Sequence, residues 1–264
     1  MSTIRRTLLA TAALALVAVP AMASHSWANY HWSRTGTLVL TLGDNVSSGW
    51  DAYLADANAD WTASSVINTS VVAGASAPRT CKAVAGTVQV CNSTYGSNGW
   101  LGIASISVNG SHITAATVKL NDTYFNTAQY NTPAWRRLVT CQEVGHTFGL
   151  AHQDENFNNA NLNTCMDYTN LPDSNQHPNN HDYTQLETIY AHTGLTEEMG
   201  LSKTPPPPAM TQIQMNGPGQ WGELQWESED HLSSRYLLDF GNGHAIVTEV
   251  FWVPGMAPHD GHDH

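Results

Sequence analysis

Charge is scarce in this chain. Only 12% of its 264 residues are Asp, Glu, Lys or Arg, about half the usual share. Positive charge is scarcer still, with ten Lys and Arg against 22 acids. So acidic a surface repels phosphate backbones and anionic headgroups, which argues against nucleic-acid and membrane partners. Past the first two dozen residues no apolar run approaches the ~20 residues that a membrane-spanning helix needs. No internal repeat is present, which sets aside repeat architectures. Cysteine is sparse too: there are four, and none precedes Cys81.

What is there begins with an export signal. Arg5 and Arg6 open it, Leu8 to Val19 form a short apolar run, and Ala21-Met22-Ala23 is a small-x-small cleavage site. Residues 1–23 therefore read as a signal peptide, and the mature protein as secreted. Arg5-Arg6 also admits twin-arginine export, weakly, because Sec signals carry arginines as well. Cleavage takes away two arginines and no acid, leaving eight basic residues against 22 acidic ones, a net charge of about −14. In an exported protein four cysteines suggest two disulfides with three possible connectivities. The favoured one joins Cys81 to Cys91 across a short loop and Cys141 to Cys165. With 41% apolar residues and nine Trp, the chain can build a proper core, and a monomer is expected.

The patterning contains both strands and helices. Leu38 to Leu42 reads as a strand ended by Gly43-Asp44, and Trp50 to Ala63 as a helix with Ser48 as N-cap. Val66 to Val72, Thr87 to Cys91, Leu101 to Val108 and Ile113 to Asn121 read as strands. Thr132-Pro133 is an N-cap followed by proline at the first helical position, opening a helix to about Phe148 that Gly149 stops. A second helix fits Tyr183 to His192, capped by Asn180 or Asp182. The Asn-rich stretch 153–180 between them is long for an idle loop. Residues 201–210 form a proline-rich linker. Beyond it, 211–256 form a small β-rich region with strands at Trp221 to Glu227, Arg235 to Phe240 and His244 to Val253, the last two joined by Gly241-Asn242-Gly243. So few residues are marginal alone, so this region is expected to pack on residues 24–200. The His/Asp-rich tail 257–264 reads as a disordered polar end.

The decisive segment is Gln142-Glu143-Val144-Gly145-His146-Thr147-Phe148-Gly149-Leu150-Ala151-His152. Positions i and i+4 share a helix face, so Gln142 and His146 can converge on one ion. Glu143 stands beside them, able to reach a metal-bound water without being a ligand. Gly149 can take the left-handed conformation that turns the chain sharply and returns His152 as a third ligand.

This segment resembles the metzincin signature H-E-x-x-H-x-x-G-x-x-H at every fixed position but the first, where this chain has Gln142. Thr164-Cys165-Met166-Asp167-Tyr168 looks like the Met-turn of those zinc peptidases. The layout of Leu101 to Asn121 is similar to the edge strand and following strand of the matrixins. The resemblance covers about Thr37 to Thr193. It implies an α+β fold, a twisted mixed sheet packed on helices, with the C-terminal β region outside the resemblance. It implies one catalytic zinc held by Gln142, His146 and His152, Glu143 as general base, Met166 as the floor of the site and Tyr168 as a further ligand or transition-state group; a merely packed Tyr168 is an equal alternative. It also supports Cys141–Cys165, since those cysteines immediately precede Gln142 and Met166.

On this reading the protein is a secreted zinc metalloendopeptidase, its extended polypeptide substrate lying along an edge strand within Leu101 to Val108. The competing reading is a catalytically silent secreted zinc- or protein-binding module, because Gln142 offers a weaker donor than imidazole. Asp154, Glu155, Asn156 and Asn158 offer oxygens to Ca2+, but they match no calcium loop, and a solvated polar loop is preferred. No cysteine is placed to act as the pro-segment switch that matrixins often use.

Overall fold

The computed structural model describes residues 25–191 and 205–258. The expected signal peptide and the end of the His/Asp-rich tail lie outside the described residues, as do residues 192–204. The fold is α+β. Nine strands form one mixed sheet in the order β3-β2-β4-β6-β5-β9-β8-β7, with a short ninth, β1, paired to β6. In chain order these are β1 (His31–Trp32), β2 (Leu38–Asn45), β3 (Ile67–Ala73), β4 (Thr87–Ser93), β5 (Trp100–Asn109), β6 (His112–Asn121), β7 (Glu223–Glu227), β8 (Ser233–Gly241) and β9 (His244–Trp252). The helices are α1 (Asp51–Thr62), α2 (Asp122–Phe125), α3 (Pro133–His146), α4 (Asn180–Ile189) and α5 (Pro208–Gln212).

Strands β3, β2, β4 and β6 run parallel. The chain reverses into β5, which pairs antiparallel with β6 and, on its other side, with β9. In β2 the alternation is visible as buried Leu38, Leu40 and Leu42 around exposed Val39. The strand does not end at Gly43-Asp44 but runs to Asn45. Gly43 lies against the Gln89 side chain of β4, where a Cβ would come within 2.5 Å of it. Glycine here accommodates a neighbour rather than a turn.

Two cap assignments change. Helix α1 starts at Asp51 with Trp50 as N-cap and no side-chain cap bond; Ser48 is exposed and lies two residues too early. Helix α4 begins three residues before the expected Tyr183, because Asn179 forms a reciprocal capping box with Asp182. Within the proline-rich stretch, Pro208 opens α5.

The C-terminal strands are no separate layer. Val247 and Phe251 of β9 join the core between the sheet and α1, α3 and α4. On the opposite face Ile246, Val250 and Trp252 pack with Trp100, Ile103, Met210 and Trp221. Lys119 of β6, buried in that second core, donates to the Met215 carbonyl at 3.3 Å and to Asn216 Oδ1 at 2.6 Å. Both predicted disulfides, Cys81–Cys91 and Cys141–Cys165, are present.

The caps are separable by mutation. Asn179→Ala is expected to cost about 1 kcal/mol and lower the thermal midpoint by roughly 2–4 °C, while Ser48→Ala leaves it unchanged; paired melting curves check both.

Candidate metal centre

Thr132 Oγ1 caps α3 by accepting from Trp135 N at 3.3 Å, with Pro133 in the first turn. The last two turns carry Gln142, Glu143 and His146, all buried. Small residues let this end of the helix sit deep. A Cβ on Gly145 would come within 2.5 Å of the Trp61 ring and 2.7 Å of Met166 Sδ, so Met166 packs directly beneath the helix. The Cys141–Cys165 disulfide and a hydrogen bond from Gln142 Nε2 to the Cys165 carbonyl (2.9 Å) tie the two segments together.

Gly149 has φ +91°, and a Cβ there would stand 2.1 Å from the Tyr30 carbonyl oxygen. Only glycine can make this bend. It returns His152 so that its Nε2 lies 3.1 Å from His146 Nε2. His146 Nδ1 lies 2.8 Å from the Leu150 carbonyl oxygen. A carbonyl only accepts, so the proton is on Nδ1 and Nε2 keeps a lone pair. His152 Nδ1 faces Glu249 Oε1 at 3.8 Å, beyond hydrogen-bond reach. Burial holds both imidazoles below their ordinary pKa. The contact between the two Nε2 atoms is a hydrogen bond when His152 carries its proton on Nε2 and a repulsion of lone pairs when it carries it on Nδ1. Bound to one tetrahedral zinc at ~2.0–2.1 Å, they would stand roughly 3.3 Å apart.

Gln142, the third expected ligand, lies on the same buried end of α3. With Gln142 Nε2 committed to Cys165, its Oε1 is left buried without a hydrogen-bond partner. Glu143 Oε2 is likewise buried and unpartnered. Strand β5 passes the Glu143 carboxylate at Gly102, where a Cβ would lie 2.5 Å from Oε1. Burial, then the neighbouring Glu249, pushes the Glu143 carboxyl well above its usual range. Tyr168 is sandwiched between the His152 ring, at 3.8 Å between centroids, and Phe157, at 4.6 Å. Its hydroxyl is buried without a hydrogen-bond partner.

Two elements of the site carry no sequence signal. Glu249 of β9 reaches the His152 ring and accepts from Ser233 Oγ at 3.1 Å and Arg235 Nε at 2.8 Å. All three come from the C-terminal strands. The expected substrate edge also needs correction. β5 is not an edge, because β9 pairs with it from Trp100 to Asn109. The free backbone of a lone β5 edge is already satisfied within the chain.

The residues weighed above as calcium donors hydrogen-bond within their own loop. Asp154 accepts from Asn156 N at 2.7 Å and Asn159 Nδ2 at 2.6 Å, and Asn156 Oδ1 from Asn158 N at 2.9 Å. With Glu155 and residues 226–230 they line an open, acidic cleft of about 780 Å3. Among the described residues one further set of metal-competent side chains converges, His25, His181 and Asp182. A scan against protein-family models gave no match to this chain, and a search of curated proteins gave none.

The glycine bend is directly testable. Gly149→Ala is expected to destabilise the protein by more than about 1 kcal/mol, because the left-handed φ and the Tyr30 clash act together. Gly36→Ala, with open space around it, serves as the neutral comparison. Urea midpoints decide, and equal midpoints for the two variants contradict this account of the bend.

Proposed function

We propose that this chain is a secreted zinc metalloendopeptidase of the metzincin type, closed in the described form by its own C-terminal strands. The observation that carries the reading is the pair of imidazole Nε2 atoms 3.1 Å apart, with His146 held at its other ring nitrogen by the Leu150 carbonyl. Support comes also from the unpartnered Gln142 oxygen, the Met166 floor, and four parallel strands followed by antiparallel β5. Two disulfides suit an oxidising compartment. No helix among the described residues is long and apolar enough to cross a membrane.

Gln142, His146 and His152 would hold the metal. When bound, zinc supplies a Lewis acid that acidifies water and polarises a peptide carbonyl. The chain's own groups do the rest. Glu143, with its proton affinity raised by burial, takes a proton from water and returns it to the leaving amine. Tyr168 braces the His152 ring and leaves its hydroxyl free to donate toward developing negative charge. An extended peptide would add to β5 by strand pairing, which requires β9 to leave first.

The second reading, a catalytically silent module, draws on that closure: none of Gln142, Glu143, His146 and His152 is more than 5% exposed. Arg235→Ala separates the two. It strands the Glu249 carboxylate beside Glu143, a buried unpaired charge costing roughly 3–5 kcal/mol, and so loosens β9. A latent peptidase then cleaves an unfolded protein substrate on the order of 10²-fold faster than the parent, and adding Glu143→Gln abolishes the gain. Zinc-loaded Arg235→Ala without any cleavage supports the silent module, as does zinc binding only after Gln142→His.

A further inference from the structure

His25 lies far in sequence from the adjacent pair His181 and Asp182 and meets them on the side of α4 that faces the bend after α3. Their ligand atoms fall within 4.8 Å of one another. The His25 and His181 rings stack at 4.8 Å between centroids. His25 is 4% exposed and Asp182 fully buried. Each of the three presents one buried atom with no hydrogen-bond partner: His25 Nε2, His181 Nδ1 and Asp182 Oδ1.

The remaining polar atoms explain which ones are left over. His25 Nδ1 lies 3.0 Å from the Ala151 carbonyl oxygen, so it carries the proton and Nε2 bears the lone pair. Asp182 Oδ2 accepts from Thr164 Oγ1 and from Asn179 N, which leaves Oδ1 bare. His25 Nε2 and Asp182 Oδ1 then face each other at 3.6 Å, too far for a hydrogen bond. Two acceptor atoms thus face each other with no proton shared between them, a repulsive contact whose sign a cation between the two atoms reverses.

We propose that His25 Nε2, His181 Nδ1 and Asp182 Oδ1 form a second metal site, for a zinc-like first-row divalent cation. Two imidazole nitrogens and one carboxylate oxygen are a borderline donor set, suited to zinc and not to calcium or magnesium, which take oxygen ligands. A 3.6 Å separation is close to the roughly 3.3 Å between donors around a tetrahedral zinc. The position gives the ion a structural role. His25 clamps the loop that leads into His152, its carbonyl accepting from Ala151 N at 2.6 Å. Asp182, through Thr164, holds the turn of Met166, whose N–H Thr164 Oγ1 accepts at 3.0 Å. An ion here would pin the start of the described chain, α4 and both loops of the first centre together. The proposal stands whether or not the first centre is catalytic.

The test is zinc retention by the full mature chain carrying His146→Ala and His152→Ala, dialysed against free zinc and analysed by mass spectrometry. About one zinc per chain is expected to remain. Adding His181→Ala is expected to remove it with unchanged circular dichroism, because the capping bond at that residue comes from its backbone N–H. Loss of all zinc while His181 is intact, or retention in the triple variant, overturns the site. If the double variant does not fold, the comparison moves to the parent chain. There His181→Ala must lower the zinc content by about one per chain, and equal content in both proteins is fatal to the proposal.

Discussion

Two imidazole Nε2 atoms brought to 3.1 Å of one another are the constraint around which this end of the molecule is arranged. Neither imidazole chooses that orientation alone. The Leu150 carbonyl fixes one ring from behind and Glu249 faces the other. The backbone bend that brings the rings together exists because residue 149 has no side chain. Side chains held in this way have little conformational freedom left to lose.

The same region concentrates buried charge. Glu143 and Glu249 both sit in the interior, and only Glu249 has a cationic partner, Arg235. Buried carboxylates of like sign are costly unless a cation offsets them. Arg235 offsets part of that cost. The C-terminal strands thus do two things at once. Their apolar residues complete both faces of the sheet, and their polar residues enter the metal centre. Closure of β5 by β9 and the electrostatics of the centre are one structural event.

How much of this was legible depended on distance along the chain. The α3 cap, the ligand pattern and the glycine bend are local: each is set by residues within a few positions of one another. The pairing of Cys141 with Cys165 followed from the resemblance of their surroundings. Cap choice was less legible, since Ser48 and Asn179 are equally good cap residues by type. Only the packing of Trp50 and the reciprocal bond with Asp182 select between positions. Gly43 shows the opposite error, a turn-former absorbed into a strand because a neighbouring side chain needed the room.

The sequence by itself determined that a helix would present Gln142 and His146 on one face, and that the chain could double back after it. Helical periodicity and the freedom of one glycine suffice for that. Tertiary structure alone decided that β5 would be covered, that Glu249 and Arg235 would reach the centre, and that His25 would meet His181 and Asp182. Those contacts join segments with no local pattern in common. Strand pairing is read from hydrogen-bonding edges that every strand possesses, and which edge meets which is settled only when the whole core packs.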